Sequence, residues 1–162
     1  MDYNEYRELT NLITVYFATG NQETLSTIHD YIETKNGCRK QLMKDLVTHT
    51  KYIRVFPDDE QVKIIRDLTT QICQDEHLAY KISWMLPYVS DKVLDRTLSA
   101  ADNYALVKIM HNIKGNIEVI GHRLCDPPGY FYLPPTTTTF SRMREKMTWR
   151  RIYRKCRRNL KK

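Results

Sequence analysis

Four of the six prolines in this 162-residue chain crowd between positions 127 and 135, and only Pro57 and Pro87 interrupt the first 120 residues. With five glycines in the whole sequence, little before Leu124 can break a helix. Strands would show alternating apolar positions, whereas here the apolar residues recur at three- and four-residue steps. That spacing predicts an all-α body over residues 1–124 with six to seven helices.

The steps can be followed along the chain. Tyr6, Leu9, Ile13, Tyr16 and Phe17 share one helical face, and Gly20 suits a left-handed stop. Asn21 can cap a second helix carrying Leu25, Ile28 and Ile32, ending at Asn36-Gly37. A third runs from about Cys38 with Leu42, Met43, Leu46 and Val47 inward. Tyr52 to Phe56 is β-branched and aromatic, either extended or the end of that helix. Pro57-Asp58-Asp59-Glu60-Gln61 starts the next, with Asp58 at the N-cap and carboxylates near the positive dipole end. Val62, Ile65, Leu68 and Ile72 follow it at helical spacing. Leu78, Ile82, Met85 and Leu86 make a fifth face closed by Pro87, and Ser90 opens a sixth with Val93, Leu94 and Leu98. Asp102 caps a seventh bearing Leu106, Ile109, Met110, Ile113, Ile117 and Ile120.

Glu23, Leu25, Ile28 and Asp30 recur 37 residues later as Glu60, Val62, Ile65 and Asp67. A two-helix repeat would have that period, but no third copy follows. A compact bundle and a short solenoid-like array are both consistent with the pattern.

Residues 125–140 change character. Two proline pairs and a threonine run predict an extended linker between body and C-terminus. Within it, Pro127, Pro128 and Tyr130 form a Pro-Pro-x-Tyr motif of the kind that WW-type domains bind, a polyproline II segment plus one aromatic anchor. The same residues can instead form a turn that packs Tyr130, Phe131 and Tyr132 onto the body.

The charge is as unevenly placed as the prolines. Of the last 22 residues, 141–162, eleven are Lys or Arg and one is acidic, a net of +10. The chain as a whole is +7, so residues 1–140 keep 15 basic and 18 acidic side chains and are −3. At the helical period, Trp149, Ile152, Tyr153, Cys156 and Leu160 fall within about 100° of arc. The basic residues cover the other side, which predicts a cationic amphipathic helix.

Such a helix has four uses, not mutually exclusive. The apolar stripe can dock on the body and leave the charges solvated. Arg142, Arg144, Lys146, Arg150, Arg151, Arg154, Lys155, Arg157, Arg158, Lys161 and Lys162 can contact phosphates, with Trp149 or Tyr153 free to stack on bases. The helix can also lie on a membrane surface or an acidic protein, or serve as a nuclear-import signal.

Other chemistry is thinly represented. Cys73 and His77, with His122 and Cys125, could supply a Cys₂His₂ set, but 44 residues separate the two histidines and no compact finger has that order. No metal or cofactor is therefore expected. There is no Gly-rich phosphate loop, Gly-x-Ser-x-Gly or His-Glu-x-x-His, and the carboxylates at 58–60 serve a helix start, so no catalytic residue is assigned. The N-terminus lacks a basic and apolar leader, no apolar run approaches a membrane span, and the four cysteines are widely spaced. Together these predict a non-enzymatic intracellular protein, cytoplasmic or nuclear, that binds nucleic acid or another polyanion through its basic arm. The alternative is a helical adaptor that binds proteins through its body and linker motif.

Overall fold

The computed structural model describes residues 2–125 and 139–161, with the side chains of 119–125 and 139–144 outside that description. Among the described residues every regular element is helical and no strand occurs. The α-helices are α1 Tyr3–Thr19, α2 Gln22–Thr34, α3 Asn36–Leu46, α4 Asp58–Thr70, α5 His77–Met85, α6 Asp91–Ala100, α7 Asn103–Cys125 and α8 Thr139–Arg158. Two 3₁₀ segments, Thr50–Val55 and Leu86–Tyr88, complete the order. None of the described helices is long and apolar enough to cross a membrane.

The chain divides into two compact units, Met1–Gln61 and Val62–Lys162. In the first, α1, α2 and α3 bury Leu9, Ile13, Ile28, Ile32, Cys38, Leu42 and Leu46. Gly20 ends α1 at φ 67°, where its N–H donates to the Tyr16 carbonyl at 2.7 Å. The Asn21 side chain caps α2 by accepting from the Glu23 N–H at 2.8 Å. Asn36-Gly37 does not end α2; it forms the first turn of α3. Lys35 makes the break instead, at φ −114° and ψ 87°, and its ammonium is held by Glu5 at 2.7 Å.

Residues 50–55 are neither extended nor a continuation of α3. They form a 3₁₀ segment that buries Ile53 and Val55, with Phe56 buried just beyond it. A tighter helix can turn these β-branched side chains into a core without a paired strand. Gln61 donates to the Phe56 carbonyl at 2.7 Å, and α4 includes Asp58 in its first turn rather than as its cap.

The second unit is built on α7. Leu106, Ile109 and Ile113 are buried along it, together with Ile82 and Met85 of α5, Val93, Leu94 and Leu98 of α6, and Ile65 of α4. Ser90 caps α6 through the Val93 N–H at 3.3 Å, and Asp102 caps α7 through the Ala105 N–H at 2.8 Å. One polar pair sits inside this core: Asn116 donates to the Ser83 hydroxyl at 3.1 Å, and Ser83 donates to the Tyr80 carbonyl at 2.7 Å.

Candidate polyanion-binding face

Helix α8 is where charge and packing meet. Trp149, Ile152 and Cys156 are fully buried against the rest of the second unit, while Tyr153 and Leu160 are half-buried. Trp149 meets Trp84 of α5 edge to face, ring centroids 5.3 Å apart. Burial drives the Cys156 thiol up to about 12, so it stays protonated at neutral pH. The end of α8 is tied down too: the Lys161 N–H donates to the Asn103 side chain at 2.8 Å, and Asn103 donates back to the Lys161 carbonyl.

These contacts correct one expectation. Trp149 is only 1% exposed, so its ring is not free to stack on a base. The indole is a large apolar surface, and it packs against Trp84 of α5. Tyr153, one residue beyond Ile152, stays at the edge of the packed face.

Burying the stripe on one side sorts the cations on the other. Arg151 pairs with Asp91 at 2.9 Å and Lys155 with Asp95 at 2.6 Å. Each partner pair is four residues apart on its own helix, so α6 and α8 match in register. Arg150, Arg154, Arg157 and Arg158 are exposed, and no carboxylate among the described residues pairs with them. At the helical period they span about 100° of arc and about 12 Å of axis. Lys161 is exposed just past the end of the helix, and Lys146 is half-exposed before the row. The side chains of Arg142 and Arg144, and all of Lys162, lie outside the described residues, as do Pro127, Pro128 and Tyr130.

Beside the row is a depression of about 390 Å³, lined by Lys114 and Ile117 of α7 and by Arg150, Tyr153 and Arg154 of α8. A larger concavity of about 930 Å³ runs along the arginine face, lined by Met147, Thr148, Arg150, Arg151, Arg154, Arg157 and Arg158. Lys114 carries no local signal that would join it to the arm. The Asp91/Asp95 pairing was readable only as a spacing of four on α6 equal to that of Arg151 and Lys155.

Of the four residues weighed as a Cys₂His₂ set, only Cys73 and His77 have described side chains. Cys73 is exposed, and His77 stacks on Tyr80 with centroids 5.5 Å apart. Among the described residues no cluster of three or more His, Cys, Asp or Glu is placed to hold a metal, and the His122 and Cys125 side chains lie outside them. Comparison with protein families, with curated proteins and with solved structures finds no match to this chain.

Proposed function

We propose that this is a non-enzymatic binding protein that holds nucleic acid, or an equivalent polyanion, on the arginine row of α8. The observation that carries the reading is the division of labour among the cations. Arg151 and Lys155 are neutralised by α6, whereas Arg150, Arg154, Arg157 and Arg158 face solvent without a carboxylate partner among the described residues. Docking the apolar stripe holds the row in place, so less ordering entropy opposes binding than for a fraying free helix.

A membrane-surface role is less well supported. A helix that lies in a bilayer interface needs its apolar side for the acyl boundary, and here that side is used internally by Trp149, Ile152 and Cys156.

The test is salt dependence. If about four to six phosphates are neutralised, log K falls against log salt with a slope of about −3 to −5. Replacing Arg150, Arg154, Arg157 and Arg158 together by Gln reduces the magnitude of that slope by about 3 while buried-tryptophan fluorescence stays native. An unchanged affinity in the quadruple variant overturns the reading.

A further inference from the structure

We infer that the slot between α7 and α8 seats a base of single-stranded nucleic acid, with Tyr153 as its stacking platform. This rests on the arginine-row reading and specifies which form of nucleic acid the row takes. The slot, about 390 Å³, falls within the range of about 300–1,000 Å³ typical of small-ligand pockets. Its lining combines two chemistries. The surface itself is almost wholly apolar, formed by Ile117, Tyr153 and the stems of Lys114, Arg150 and Arg154, and those three stems, from both helices, each end in a positive charge.

A nucleotide has the same two parts, a flat apolar face and a phosphate on each side. Bases within a duplex are already stacked on their neighbours and present only edges and backbone to a protein. A single strand can turn one base out onto an aromatic ring while its phosphates follow a cationic track. Arg150 and Arg154 belong both to the slot and to the exposed row, so a strand leaving the slot runs directly onto Arg157 and Arg158. An anionic lipid would also satisfy an apolar slot with a cationic rim. The burial of Trp149, Ile152 and Cys156 removes the apolar face that would carry such a helix into a bilayer, so the strand is the better fit.

The experiment compares three fluorescent probes of one length at one salt concentration: a 12-nucleotide thymidine strand, an abasic strand with the same phosphates, and a duplex. The full chain binds the thymidine strand about 5- to 100-fold more tightly than the abasic one, the range expected for stacking one base. Tyr153→Leu, which keeps an apolar side chain against α7, removes that difference and leaves the salt slope unchanged. Tyr153→Phe preserves it. Equal binding of thymidine and abasic strands by the unaltered chain overturns the inference without need of any variant. So does a preference for duplex, or a Tyr153→Leu variant that weakens both strands alike. A Tyr153→Leu variant that loses only binding to anionic vesicles also overturns it, in favour of lipid. If the unaltered chain binds none of the three probes, the arginine-row reading falls together with this one.

Discussion

The indole of Trp149 stands edge-on to that of Trp84, with ring planes at 88° and centroids 5.3 Å apart. This contact converts a cationic segment into a fixed wall of the second unit. Trp149→Ala is expected to lower stability by about 3–5 kcal/mol, the usual cost of deleting a fully buried large aromatic side chain. Urea unfolding followed by circular dichroism checks it. A cost below about 1 kcal/mol would mean that the stripe does not hold α8.

The α6–α8 ion pairs restrain charge more than they stabilise. Both aspartates are more than half exposed, so breaking the pairs with Asp91→Asn and Asp95→Asn changes stability by less than about 1 kcal/mol each. It also frees Arg151 and Lys155 to join the arginine row. Polyanion affinity rises, and the salt slope steepens by up to about 1.5. Fluorescence anisotropy titrations at several salt concentrations measure both.

Cysteine reactivity reports burial directly. At pH 8 iodoacetamide modifies the exposed Cys73, while Cys38 and Cys156 react only after unfolding. Peptide mapping of the alkylated protein tells them apart. The Cys156 thiol is raised from 9.0 to about 12 by burial, so the folded state favours its protonated form. That contribution is whole below about pH 9 and is lost as pH rises toward 12. At pH 11 the loss is on the order of 2–3 kcal/mol. Stability measured from pH 8 to 11 therefore falls less in Cys156→Val than in the unaltered chain.

Two glycines respond oppositely to alanine. Gly20 sits at φ 67°, where a Cβ is strained, so Gly20→Ala costs about 1 kcal/mol. Gly115 lies inside α7 with open space around an added Cβ, and Gly115→Ala adds about 0.4–1 kcal/mol through helix propensity. Thermal midpoints that move in opposite directions meet the expectation.

The local elements needed only the sequence. The stop at Gly20, the caps at Asn21, Ser90 and Asp102, and the buried faces of α1, α6 and α7 rest on backbone conformation and on apolar spacing within one helix. Lys35 and the 3₁₀ segment at 50–55 were not readable in that way. The Lys35 break is braced by Glu5, thirty residues away, and the segment by burial of Ile53 and Val55 in the core. The segregation of cations from the apolar stripe between 149 and 160 was likewise present in the order of residues. Which of those cations remain available was settled by packing. Asp91 and Asp95 sit sixty residues from Arg151 and Lys155, and Lys114 reaches the slot from another helix. Periodicity assigns a side chain to a face of its own helix, and only tertiary packing determines which charges that face meets.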